Sequence, residues 1–191
     1  MSGKSKNAFE VIWRIENIKS WLQARDDTLY SPQFLAEPLT NTHWKLRLST
    51  NWHLEEKYIS LTLQRDVEDD GPELIPLNYE LSFLAHDGSP FKSKSCAMKF
   101  GSKTVSHELN VKQVEILEEK KEDYLPEGVL TVRCKLYKAW STVWKGGECF
   151  IRSAVGTKCI TLKSSIDNFR SLDVPTNLIL KFMSPSTEIT V

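Results

Sequence analysis

His107-Glu108-Leu109-Asn110-Val111 opens like the signature of a zinc protease, in which two histidines one helical turn apart grip the metal and the glutamate serves as base. The last position is valine, so half of the ligand pair is missing. Asp66-Val67-Glu68-Asp69-Asp70-Gly71 begins like a calcium loop, but the twelfth position is Leu77 where a bidentate glutamate is required, and the stretch reads as a hairpin loop. Cys96, Cys134, Cys149 and Cys159 lie far apart, with no Cys-x-x-Cys pair and no histidine at ligand spacing, and read as buried or incidental thiols. The four histidines, His43, His53, His86 and His107, join no serine and acid in a nucleophilic grouping, and neither a glycine-rich phosphate cradle nor a nucleophile elbow occurs. These residues predict a protein that is no enzyme, with no metal site and no cofactor.

Bulk properties narrow the partners. The chain has 191 residues, with 25 Lys+Arg against 25 Asp+Glu and a formal net charge of +0. No global field draws it to nucleic acid or to an anionic membrane. Hydrophobic residues make up 40%, enough for a core, and no apolar run approaches the roughly 20 residues of a spanning helix. Met1 to Asn7 is polar and basic and runs into a patterned strand, unlike the apolar stretch of a secretory signal. The expectation is a soluble protein of a reducing compartment, nucleus and/or cytoplasm.

The elements that must position any site are strands. Period-two alternation dominates from residue 9 to about 137. Trp44, Leu46 and Leu48 share one face of their segment while Lys45 and Arg47 take the other. Ile59, Leu61 and Leu63 repeat the design, as do Leu81 and Phe83 with or without Tyr79, and Leu130, Val132, Cys134 and Leu136 close the series. Such half-buried strands, parted by turn formers at Asp69-Asp70-Gly71-Pro72, His86-Asp87-Gly88-Ser89-Pro90 and Pro126-Glu127-Gly128, predict an all-β antiparallel sandwich. One short helix is expected from Asn110, as N-cap, to Leu117, because Val111, Val114 and Leu117 recur at intervals of three. The run from Glu118 to Asp123 reads as a solvated loop. Trp13 and Trp44 are in phase with aliphatic neighbours and belong to the core. Trp21, Trp52, Trp140 and Trp144 are not placed by the pattern, and an exposed one would mark a partner surface.

A short echo organises the rest. Ile15-Glu16-Asn17-Ile18-Lys19-Ser20-Trp21-Leu22 returns as Ile166-Asp167-Asn168-Phe169-Arg170-Ser171-Leu172, which reads as two copies of one module's opening strand and turn. The second copy begins near Cys159 and stops at Val191, too soon to bury a core of its own. The weak pattern and Gly146-Gly147 place a linker over residues 140–158, between a domain at 7–139 and an incomplete repeat at 159–191. Two strand-like runs, Ile160-Thr161-Leu162 and Leu178 to Phe182, would leave an apolar edge unless they packed back.

Phe9-x-x-x-Trp13-x-Ile15-x-Asn17, Trp44-x-Leu46-Arg47-Leu48, Tyr58-Ile59-Ser60-Leu61-x-Leu63 and Leu125-Pro126 followed by Leu130-Thr131-x-x-Cys134 together resemble a MATH (meprin and TRAF homology) domain of the speckle-type POZ protein branch. The resemblance covers about residues 7 to 139. It implies a TRAF-like sandwich that binds a short extended peptide across one sheet, with no catalytic residues, as the substrate-binding part of an adaptor for a cullin-type ubiquitin ligase. In that branch a downstream BTB/POZ domain recruits the cullin, and this chain ends before one could begin. The alternative role on the same fold is a TRAF-like scaffold or a stand-alone competitor that binds targets without recruiting a ligase. No heptad segment precedes Phe9 to trimerise a scaffold.

The resemblance carries the peptide-binding positions onto Thr62, Tyr79, Met98, Ser106 and Glu108, of which only Tyr79 keeps an aromatic ring. It follows that a serine/threonine-rich degron of the family's kind binds weakly or not at all, and that a peptide bearing a donor or a positive charge suits Glu108 better. A purely structural reading stays open beside this one. Tyr79 would then cover the sheet's edge, and Thr62 would be an outward strand residue suited to a pleated surface.

Overall fold

The computed structural model describes residues 8–23, 28–36, 39, 41–67, 69–138, 147–155, 181–184 and 187–190. Two five-stranded sheets face each other across one core, so the chain is an all-β sandwich. In chain order the strands are β1 (Phe9–Glu16), β2 (Thr28–Tyr30), β3 (Phe34–Leu35), β4 (His43–His53), β5 (Glu56–Arg65), β6 (Ile75–Leu84), β7 (Pro90–Phe100), β8 (Leu109–Lys112), β9 (Leu130–Lys138), β10 (Gly147–Ala154), β11 (Lys181–Ser184) and β12 (Thr187–Thr190). One sheet runs β10-β1-β9-β6-β7 and the other β2-β4-β5-β8, with β3 also paired to β4; β11 and β12 form a separate antiparallel pair.

Alternation makes the core. Phe9, Val11, Trp13 and Ile15 from β1 meet Leu77, Tyr79, Leu81 and Phe83 from β6, Val132, Cys134 and Leu136 from β9, and Trp44, Leu46, Leu48, Ile59, Leu61 and Leu63 from the facing sheet, all buried. Tyr79 thus keeps the phase of Leu81 and Phe83, which settles an open choice. Rings cross edge to face at the centre, Phe100 with Trp44 at 5.1 Å and with Tyr79 at 5.7 Å. Burying a side chain of this size stabilises by about 1.5–3 kcal/mol. Burial pushes the Cys134 thiol well up, so it behaves as a small hydrophobe.

β1 ends at Asn17, whose φ of 56° is a left-handed turn that asparagine tolerates. The turn feeds α1 (Ile18–Gln23), which seals one end of the sandwich with Ile18, Trp21 and Leu22. The echo of this stretch, at 166–172, and the strand expected at 160–162 lie outside the described residues. Of the strand expected over Leu178 to Phe182, the described part begins at Lys181.

Three local expectations are corrected. Asn110 to Leu117 is not one helix. Leu109 and Val111 are buried at a spacing of two and β8 pairs with Tyr58–Leu61, so strand pairing wins through Lys112, and Val114 is left 41% exposed. The Glu118–Asp123 run is not a plain loop. It holds the end of a π turn (Glu115–Glu119) and most of α2 (Lys121–Tyr124), because Ile116 and Tyr124 are buried and Tyr124 packs on Phe83 and Phe91. Within the expected linker, residues 147–154 form β10, paired in parallel with β1 from Phe9↔Gly147 to Glu16↔Ala154. Ile151 is buried on the core side of β10, and Ser153 accepts the Trp13 indole N–H at 3.0 Å.

Candidate functional site

β7 and β8 are edge strands of opposite sheets on the same side of the sandwich. The chain leaves β7 through a turn at Gly101–Lys103, with Lys103 at φ 64°, and then runs beside β5. There Arg65 N–H donates to Thr104 O at 3.1 Å and Ser106 N–H to Leu63 O at 2.8 Å, and the pairing resumes as β8. Between these pairings the chain is held by side chains. The Ser106 hydroxyl accepts from Leu63 N–H at 2.8 Å and donates to His107 O at 3.1 Å. The Tyr79 hydroxyl accepts from His107 N–H at 3.0 Å and lies 3.8 Å from Met98 Sδ. Lys94 on β7 reaches the Glu108 carbonyl at 2.9 Å.

Of the five positions taken from the resemblance, the structure therefore gathers Tyr79, Met98 and Ser106 into one cluster. It sets Glu108 against Ser60 Oγ at 3.5 Å, and it places Thr62 in the same outward row of β5 as Ser60. Tyr79, Thr62 and Ser106 are buried, so Met98, half-buried, and Glu108, exposed, are the two that a ligand can reach directly. Tyr79 works as a tether. Burial pushes its phenol up to about 12, against the pull of the His107 N–H, so it stays protonated until strongly alkaline pH. Tyr79→Phe is expected to cost about 1–2 kcal/mol, because the His107 N–H loses its acceptor. It should also speed amide exchange at residues 105–108; unchanged exchange there would mean that the tether is idle.

Around this cluster the outer face of β4, β5 and β8 forms a polar trough that the sequence pattern did not single out. Ser60 is fully buried although it points outward. It donates to Asn110 Oδ1 at 2.6 Å and accepts from Asn51 Nδ2 at 3.0 Å. Arg47 sits across from Thr62, next to Tyr30 on β2. Its Nε is screened from solvent and has no hydrogen-bond acceptor among the described residues, and the Asn51 Oδ1 is likewise buried without a donor among them. Arg47, Asn51, Ser60 and Asn110 fall on the wet phase of their strands, where a single sequence shows ordinary polar residues. Only the register that sets β4 and β8 on either side of β5 brings them together.

The arrangement can hold an extended backbone and exchange hydrogen bonds with its side chains. The Ser60 proton goes to an amide oxygen, so the hydroxyl is not activated as a nucleophile. Two carboxylates of the Asp66–Gly71 stretch are engaged within the protein. Asp66 pairs with Lys45 at 2.8 Å and Asp69 with Arg65, and among the described residues no three His, Cys, Asp or Glu side chains converge as metal ligands. His107 and Glu108 precede a strand, not a helix. No helix among the described residues is long and apolar enough to cross a membrane. No family model matches the chain, and a comparison with curated proteins found no match.

Proposed function

We propose that this chain is a non-enzymatic peptide-recognition module of the MATH kind, taking an extended segment of a target protein across the polar trough on the outer face of β4, β5 and β8 and beside the neighbouring edge of β7. The observation that carries this reading is Arg47, a cation whose inner nitrogen is screened from water and has no acceptor among the described residues, on a face lined by Asn51, Ser60 and Thr62. A buried donor without a partner is costly and calls for an acceptor. β7 supplies the backbone: among the described residues it pairs with β6 on one side only, and strand addition at such an edge is a common way to hold a peptide. Arg47 then takes a carboxylate, a phosphate or a carbonyl of the guest, while Glu108 takes a donor. The role of this module as the substrate-binding arm of a cullin-type ubiquitin-ligase adaptor is supported by the sequence resemblance.

The test is fluorescence anisotropy with a labelled serine/threonine-rich degron peptide and with a version in which one serine is aspartate. The acidic version is expected to bind about tenfold tighter, as one charge-assisted contact would confer. Arg47→Ala should erase the difference without lowering the thermal midpoint. Tight binding of the plain degron, indifferent to Arg47→Ala, would sink the reading.

A further inference from the structure

The β4–β5 hairpin turns through two residues, Leu54 and Glu55, at φ 46° and 65°. A two-residue turn with both φ positive favours asparagine and glycine, and neither is present. The hairpin overhangs the end of the sandwich. Trp52 continues the inward phase of Leu46, Leu48 and Thr50, but it lies past the end of the core and is 61% exposed. Beneath it is a groove of about 340 Å3 whose apolar wall is completed by Val114 and Leu117 after β8.

The charges around this groove do not cancel. Lys112 is neutralised by Glu56 at 2.7 Å, and Lys57 donates to the Leu22 carbonyl at 3.2 Å. Glu55 and Glu118, both exposed on the rim, have no ion-pair partner among the described residues. Gln113 lines the groove as well. Its amide N–H donates to Leu22 O at 2.8 Å, while its amide oxygen is screened from solvent and has no donor among the described residues. An aromatic face, an aliphatic wall, two free carboxylates and an unsatisfied acceptor describe the surroundings of a long cationic side chain.

We propose that this groove is a second recognition site, which seats a lysine or arginine side chain of a partner peptide with its shaft against Trp52 and Leu117 and its head toward Glu55 and Glu118. It lies at the Lys112 end of β8, whereas the trough holds the Glu108 and Asn110 end, so the two can be occupied independently.

The experiment uses the full chain and follows the Trp52 indole N–H resonance, assigned with Trp52→Phe. The probes are the capped peptide alanine-leucine-lysine-leucine-alanine and the same peptide with norleucine or glutamate for lysine. The lysine peptide is expected to move the resonance saturably, with about tenfold higher affinity than the norleucine peptide, as two partly screened ion pairs and a cation–π contact would give. Glu55→Gln/Glu118→Gln, on exposed positions that leave the fold intact, should remove that preference. Equal responses to all three peptides, no movement of the resonance, or a preference that survives the double substitution would each overturn the proposal. Arg47→Ala should leave the lysine preference unchanged, which separates this site from the trough.

Discussion

Asp69→Ala is expected to lower the free energy of unfolding by about 3–5 kcal/mol, the range found when one member of a buried ion pair is removed. The Arg65 and Asp69 side chains are 2% and 1% exposed. Arg65 Nε and Nη2 both donate to the Asp69 carboxylate, at 2.7 and 2.5 Å, and the carboxylate also accepts from Gly71 N–H at 3.1 Å and His43 N–H at 3.4 Å. With the carboxylate gone, the guanidinium stays buried with the Phe100 carbonyl, at 3.1 Å, as its remaining acceptor among the described residues. Room for relaxation is small, since even a Cβ on Gly71 would come within 2.4 Å of Thr42 Cγ2. Urea unfolding followed by tryptophan fluorescence measures the loss, and a cost below about 1 kcal/mol would show that the pair is no more than a surface contact. Arg65→Met/Asp69→Ala, which removes both charges, should recover much of it.

The same pair sets an acid limit. The Arg65 hydrogen bonds hold the Asp69 carboxyl below its usual range, and burial, which pushes the other way, does not undo this. The unfolded chain therefore takes up the proton first. The contribution of the pair is complete above the ordinary aspartate range, about pH 4, and drains away as pH falls through the lowered folded value. The acid transition of Asp69→Ala should be correspondingly flatter than that of the parent.

Trp44→Ala is expected to cost about 3–5 kcal/mol, through lost burial and the cavity that remains. Trp44 is fully buried, its indole N–H donates to Thr42 Oγ1 at 2.8 Å, and its ring meets Phe100 edge to face. Trp44→Phe separates the terms, because it keeps most of the apolar area and leaves Thr42 without its donor, for about 1–2 kcal/mol. Phe100 also touches Tyr79, so the loss should not add simply to that of Tyr79→Phe. A double-mutant cycle in urea reads this coupling. An alanine variant as stable as the parent would contradict the packing described for the core.

What could be read in the amino acids was what repeats along a strand. Trp44, Leu46 and Leu48 announce a buried face by themselves, and so do Leu130, Val132, Cys134 and Leu136, because a side chain's phase depends only on its neighbours two residues away. β7 gives no such signal because it is an edge. Lys92, Ser93, Lys94 and Ser95 are all exposed, so the strand carries no alternation there. β10 reads as linker in the sequence because Phe150 is 69% exposed on its outer side while Ser153 faces in, which inverts the expected polarity. The trough was harder still. Thr62, Tyr79, Met98, Ser106 and Glu108 follow from the resemblance, but that Tyr79 and Ser106 bind the protein's own backbone, and that Arg47 Nε has no acceptor among the described residues, depends on register and crossing geometry that strand phase does not encode.

β1 is flanked by β9 and β10, the two strands of its sheet that come latest in the sequence. On the ribosome the first strand to emerge must therefore wait for the last. At about 5–20 residues per second the interval between Phe9 and Leu130, where β9 begins, is on the order of ten seconds, during which Trp13 and its neighbours have neither of their two partner strands. The nascent chain is thus most exposed to misassociation at its beginning, and its earliest hydrophobic segment is the natural place for a chaperone to hold it.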